Sequence, residues 1–319
     1  MAQEISFDAL MPQEMAEKAQ AVGVRKAALL FWQLFALSVL AGAFIALGAM
    51  FATNTAAGSA TLPYGVARML IGLSFCIGLI LVVVGGAELF TGNILIVIAW
   101  ASRKISTRAL LRNWVIVYLG NFVGSLGTAA LVFLSKQHTF GDGSVGAAAL
   151  KIAASKMQYG LLQAVALGIL CNGLVCLAVW LTYSARSTGD KILAIVFPIT
   201  AFVAASFEHS IANMYFVPYA LFIKDFDSAF VARLADKAPD LSSLTWGAFF
   251  LNNLLPVTLG NIIGGAGLVA LIYWFAYLRG KNQTIWNHLS IEAPDSHKII
   301  QNHGATAKQR GVHLEKSTK

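Results

Sequence analysis

From Ala27 to Ala67 this chain carries no charged side chain, and from Met69 to Ala87 it again carries none. A helix of roughly 20 apolar residues crosses the hydrocarbon of a bilayer. Runs of this length have no place in a water-soluble core, and the composition agrees. The chain is 57% hydrophobic and 12% charged, about half the charged share usual in soluble domains. Soluble enzymes, nucleic-acid readers and disordered regulators are thereby disfavoured. The net charge of +8 is not a nucleic-acid signal, because Lys and Arg sit at segment edges and in the tail rather than on one patch. A polytopic all-α protein embedded in a lipid bilayer is the class that remains.

The apolar runs predict six spans. The first covers 27–56, with a turn at Gly58 and Pro63. The second, 64–100, is too long for one simple span and is interrupted at Gly85-Gly86-Ala87-Glu88. The third covers 110–135, and a polar, Gly-rich connection fills 136–157. The fourth covers 159–184. The fifth run, 190–223, is interrupted at Phe207-Glu208-His209-Ser210. Residues 224–245 are polar, and the sixth span covers 247–278. The organisation is then an N-terminal segment, 1–26, a six-span domain, 27–278, and a basic tail, 279–319, expected to be flexible.

Orientation follows from Lys and Arg near the span ends. Arg25 and Lys26 precede the first span, and Arg103, Lys104, Arg108 and Arg112 follow the second with no acid among them. Arg186 and Lys191 follow the fourth, and Arg279 and Lys281 the sixth. The opposite loops also carry Lys136, Lys151, Lys224, Arg233 and Lys237, so the bias rests mostly on the 103–112 loop. Both termini are expected in the cytoplasm. The first twenty residues hold Glu4, Asp8, Glu14 and Glu17 and no apolar core, so no signal peptide is expected. Residues 12–23 are expected to form a short helix opened by Pro12. Its Leu10, Met11, Met15, Ala19 and Val22 side packs on the membrane domain or closes a pore mouth. Cys76, Cys171 and Cys176 lie in apolar runs without a CxxC pair, and read as small buried hydrophobes rather than disulfide partners.

An internal repeat sharpens the reading. Glu88–Asn93 and Glu208–Asn213 share Glu-x4-Asn, each inside the interruption of an over-long run. Leu119-Gly120-Asn121 with Gly124 and Gly127 matches Leu259-Gly260-Asn261 with Gly264 and Gly267. Three spans separate the copies, an odd number, so the copies are inverted in the membrane. Paired interruptions in an inverted repeat point to a translocation site near the midplane. Inside hydrocarbon a non-helical stretch survives only against protein or a wet cavity. Half-helices that begin there aim positive N-termini inward, which suits a small anion.

At these residues the chain resembles the formate/nitrite transporter family. The matching motifs are Gly86–Asn93 (GAELFTGN), Gly168–Gly173 (GILCNG), Phe207–Asn213 (FEHSIAN) and Pro256–Gly264 (PVTLGNIIG). The likeness covers nearly all of residues 11–280 and is greatest to the bacterial formate channel branch. It implies an aquaporin-like fold with helices 2 and 5 broken, a pore through each protomer, a homo-pentamer and a bacterial inner membrane. It implies formate and similar small anions as cargo, with protons as partners.

His209 is the histidine that lies in an apolar run, beside Glu208. Such a residue is often plain hydrogen-bonded structure, but an intramembrane ionisable group is a functional candidate, and the resemblance implies a central pore position. Thr91 either caps the half-helix after its break or faces His209 across the pore. Glu88 and Glu208 would repel anions if exposed, and are expected to be buried and to accept backbone N–H groups at the half-helix ends. Lys156 is an edge lysine or, as the resemblance implies, a charge near the pore that attracts the anion. Asn172 and Asn261 read as helix–helix hydrogen-bond partners or pore polar groups. Phe75, Leu79, Leu89, Phe90, Val175 and Phe202 are ordinary apolar positions. The resemblance implies that they form two constrictions, one on each side of His209, of a kind that gates by dewetting.

Magnitudes choose among mechanisms. Desolvating an isolated carboxylate costs tens of kcal/mol in the ideal case. Neutralising formate at pH 7 means working roughly three pKa units away, about 4 kcal/mol. Protonation at the centre is the cheaper route past a dry neck, with His209 as the proton holder. Whether the proton then travels with formate or returns separates symport from an anion channel. A water or glycerol channel would be expected to carry paired Asn-Pro-Ala motifs, which this chain lacks. No HExxH, nucleophile elbow, Walker loop or haem-type His pair is present, so an enzyme, a cofactor or a metal is not expected. Nitrite or hydrosulfide is the alternative cargo, since both are small anions of weak acids.

Overall fold

A computed structural model describes residues 9–59, 61–234 and 239–280, and residues up to Leu278 form one unit. The tail beyond residue 280, with Lys281, and the stretch before residue 9 lie outside the described residues. Within them the chain is helical throughout, without a strand.

Helix α1, Pro12–Ala27, starts where expected and runs four residues further. Pro12 occupies the first turn, Glu14 Oε2 accepts the Met11 N–H at 2.8 Å, and Arg25 and Lys26 close the last turn. Its buried stripe is Met15, Ala16, Ala19, Gly23 and Ala27, spaced for one helix face. Met11 is 67% exposed and so stands off that face. The smallness of the stripe allows close approach: a Cβ on Gly23 would meet Ala99 at 2.9 Å.

The body comprises α2 (Phe31–Ala57), α3 (Tyr64–Gly85), α4 (Phe90–Ala101), α5 (Thr107–Leu134), α6 (Ser144–Lys156), α7 (Leu161–Ser184), α8 (Thr188–Ala204), α9 (Ser210–Phe226), α10 (Ser228–Leu234) and α11 (Trp246–Tyr277). Helices α2, α3, α5, α7 and α11 are each long and apolar enough to cross a membrane. Many of their outward side chains are large and apolar, such as Leu131, Leu162 and Leu251, which suits lipid or a neighbouring protomer rather than water.

The interruptions read from the sequence fall between α3 and α4 and between α8 and α9. Gly86 ends α3 in the left-handed region, φ 79°, as a glycine C-cap does. Ser206, φ 59°, takes the same role after α8. The guanidinium of Arg68 donates to the carbonyls of Val203 and Ala204 and to Ser206 Oγ, satisfying the exposed end of α8.

Two helix pairs hold these breaks. Helix α2 lies on α5, and α7 on α11, with backbones so close that only glycine fits. A Cβ on Gly124 would stand 1.9 Å from the Val39 carbonyl, and one on Gly264 would stand 2.1 Å from that of Ile169. Of the glycines spotted as a repeat, Gly120 and Gly124 and their counterparts Gly260 and Gly264 are contact points within each half, while a Cβ on Gly127 or Gly267 would meet open space. The polar connection after α5 is pinned by His138, whose Nε2 lies 3.0 Å from Asp227 Oδ2. That contact holds the Asp227 carboxyl down to about 2.

Candidate functional site

Each break is tied down by one asparagine. Asn121 Nδ2 donates to the carbonyls of Ser38 (2.7 Å) and Glu88 (2.9 Å), and its Oδ1 accepts the Phe90 N–H (2.9 Å). Asn261 repeats this in the second half, donating to Gly168 (2.8 Å) and Glu208 (2.9 Å) and accepting the Ser210 N–H (3.0 Å). Buried backbone groups outside a helix must find such partners. Asn261 is thus a structural tie behind the break.

The two glutamates depart from expectation. They accept from side chains, not from half-helix N–H groups. Glu88 takes Lys26 Nζ (2.7 Å) and Asn93 Nδ2 (2.7 Å), and Asn93 also donates to Asn113 (3.0 Å). Glu208 takes Lys156 Nζ (2.6 Å) and Asn213 Nδ2 (2.7 Å), and Asn213 also donates to Asn253 (2.8 Å). The reason is supply: Asn121 and Asn261 already satisfy the first N–H of each resumed helix. Lys156 is thereby an ion-paired residue, packed 5.4 Å over the Phe216 ring, rather than an uncompensated charge. Lys26, Asn113 and Asn253 escaped the sequence reading. The signal was there, since Asn113 and Asn253 each precede the repeated Asn121 and Asn261 by the same interval.

His209 stands at the start of α9 and caps it, its Nδ1 accepting the Ala212 N–H at 3.1 Å. Its Nε2 lies 2.9 Å from Thr91 Oγ1. With Nδ1 committed as an acceptor, the ring is neutral and the Nε2–H donates to Thr91. Thr91 does not cap α4; it sits one residue inside it and spends its hydroxyl across the break. Asn172 donates to the carbonyls of Asn261 (2.7 Å) and Thr91 (3.3 Å), joining α7 to both.

Three voids line up along these breaks. The first, about 420 Å³, has Lys26, Leu79, Glu88 and Leu89 in its wall. The second, flanked by Phe75, Leu79, Leu89, Val175, Phe202 and His209, has no room for a water molecule. The third, about 120 Å³, is lined by Arg68, Phe75, Lys156, Phe202, Glu208 and His209. Leu79 and Leu89 separate the first from the second; Phe75 and Phe202, edge to face at 5.6 Å, border the second and third. Phe90 lines none of them, because its ring turns away onto Tyr118 (4.9 Å) and Trp114 (6.1 Å).

The chain as a whole is similar to known proteins. The formate channel FocA of Escherichia coli strain K12 is 45% identical over 274 residues, 86% of this chain and 96% of that protein. The formate channel FocA of Haemophilus influenzae is 39% identical over 265 residues, 83% and 93% of the two chains. A solved structure described as a pentameric formate channel with formate bound matches with a TM-score of 0.73 at 44% identity, covering 78% of this chain and 98% of that one. A family model described as Formate/nitrite transporter matches residues 13–275. The chain belongs to the formate/nitrite transporter family.

Proposed function

We propose that this chain is a formate channel of a bacterial inner membrane, assembled as a homo-pentamer with one pathway through each protomer. The observation that carries this reading is the His209–Thr91 pair, 2.9 Å apart, beside a neck that excludes water. The formate channels to which the chain is similar support it. In this reading α3–α4 and α8–α9 each cross the membrane once in two pieces. With α2, α5, α7 and α11 they make six spans in an inverted repeat, and both termini are cytoplasmic. A cysteine placed at Gln283 should resist an impermeant label added to intact cells, and the native mass should be five protomers. Labelling would overturn the orientation, and a four-protomer mass the pentamer.

Formate enters either wide void as a hydrated anion. At the neck it meets two donors, the His209 Nε2–H and the Thr91 hydroxyl, with the N-termini of α4 and α9 aimed the same way. These replace part of its hydration. The Leu79/Leu89 and Phe75/Phe202 constrictions then oppose a bare charge, so neutralisation, at about 4 kcal/mol, wins over desolvation. A proton arriving at His209 enters at Nδ1 and displaces the Ala212 N–H. The doubly protonated ring gives its Nε2 proton to formate, one N–H bond breaking as the O–H bond forms. Formic acid passes, and the ring, left with Nδ1–H, regains its resting tautomer by exchange with water in the adjoining void.

The test is liposome flux of formate, nitrite, hydrosulfide and chloride at two pH values. Formate should exceed chloride, and more so at the lower pH. Equal rates for formate and chloride at both pH values would sink the reading. Leu89→Ala should raise formate flux several-fold and admit acetate, because it widens the neck. Unchanged size selectivity in a folded pentamer would remove Leu89 from the constriction.

A further inference from the structure

The two wide voids differ in charge. The first takes Lys18, Arg25 and Lys26 from α1 and Lys191 from α8, and Glu88 is the acid in its wall. Lys26 neutralises Glu88. Among the described residues Lys18, Arg25 and Lys191 form no ion pair. Lys18 Nζ donates to the Tyr183 carbonyl at 2.6 Å, which fixes the ammonium but leaves its charge. Asp190, adjacent to Lys191 in the chain, lies outside the wall and accepts the Arg186 and Ser187 N–H groups at the start of α8. Partial burial and the charges of Arg186, Lys191 and Arg25 hold the Lys18 ammonium below its ordinary pKa, as expected for crowded cations.

The third void is closer to balance. Lys156 is paired with Glu208, and Arg68 sits on the carbonyl end of α8, where the helix dipole offsets part of its charge. Size adds a second asymmetry. The first void holds about 420 Å³ and the third about 120 Å³. A molecule larger than formate finds room in the first and is stopped at Leu79 and Leu89. Attraction to the lysines rises in proportion to its charge.

We propose that the α1-side void is a binding site for small multivalent anions, polycarboxylates or phosphates, which plug the pathway from that side alone. Lys18 and Lys191 hold the anion, and the leucine neck stops it. The plugging half of the proposal rests on the reading of the three voids as the formate pathway; the binding half does not.

Two measurements on the full-length protein separate these. Calorimetric titration with citrate and with pyrophosphate should show saturable binding, weakened about tenfold in Lys18→Gln/Lys191→Gln by loss of two nearby charges. Lys18→Arg/Lys191→Arg keeps the charge and should bind like the parent, which guards against misfolding as the cause. Formate flux should fall several-fold when citrate is added to inside-out vesicles and stay within twofold in right-side-out vesicles. Absent binding, binding indifferent to the glutamine variant, or equal block from both sides overturns the proposal. Binding that the glutamine variant weakens, in a protein that moves no formate, upholds the site and overturns the formate pathway instead.

Discussion

His209→Asn should flatten the pH profile of formate flux between pH 5 and 8 and lower the formate-to-chloride ratio about tenfold or more. The substitution separates two roles that His209 combines. The ring caps α9 through Nδ1 and donates from Nε2 to Thr91. Asn is among the best N-cap residues, and its Oδ1 can take the Ala212 N–H while its amide reaches into the neck. The helix start is kept, and what disappears is a group able to gain and lose a proton. Formate then has to cross the dry segment as an anion, and its advantage over chloride, the anion of a strong acid, shrinks. Chloride never needed the proton and should pass at least as well as before. Liposome flux of both anions across the pH series reads this directly. If parent and variant share one pH profile and one ratio, His209 is a cap and nothing more.

The repeat shows what could be read ahead of the structure. Helix-length apolar runs and the paired Asn and Gly positions are local patterns, legible in the sequence alone; beside them helices end at Gly85 and Ala204 and others start at Phe90 and Ser210. Partnerships were harder. Nothing near Lys26 or Lys156 in the chain announces that Glu88 and Glu208, 62 and 52 residues away, are their acceptors. Such pairs exist only once α1 and α6 dock. Facing was the other gap. Leu89 and Phe90 are adjacent and both apolar, yet only Leu89 reaches the neck, because neighbouring residues at a helix start point about 100° apart and Phe90 finds Trp114 and Tyr118 instead. Apolar pattern says that a side chain leaves water, not which of two dry places it enters. Helix α1 outran its expected end at residue 23 for a related reason. Gly23 and Ala27, weak signals alone, are buried small residues on its packing face, with Gly23 set against Ala99.

The paired ion networks predict an order of stabilities. Glu208→Gln should lower the unfolding temperature of the protein more than Glu88→Gln, and pairing it with Lys156→Met should recover most of the loss. The side chains of Lys156 and Glu208 are 12% and 1% exposed, against 26% and 7% for Lys26 and Glu88. Removing one partner of a buried pair strands the other charge and costs about 3–5 kcal/mol, whereas removing both can be nearly neutral. In Glu208→Gln the Lys156 ammonium keeps only the Phe216 ring, and Asn213 and Asn253, which both donate to Glu208 Oε2, are left with an uncharged amide acceptor in place of a carboxylate. Lys26, more exposed, also donates to Asn93 Oδ1 at 3.0 Å and so retains a partner when Glu88 is changed. Thermal melts of the purified single and double variants at pH 7 test the order. If the double variant is as unstable as Glu208→Gln alone, the penalty lies in the amide network around Asn213 and not in the stranded charge.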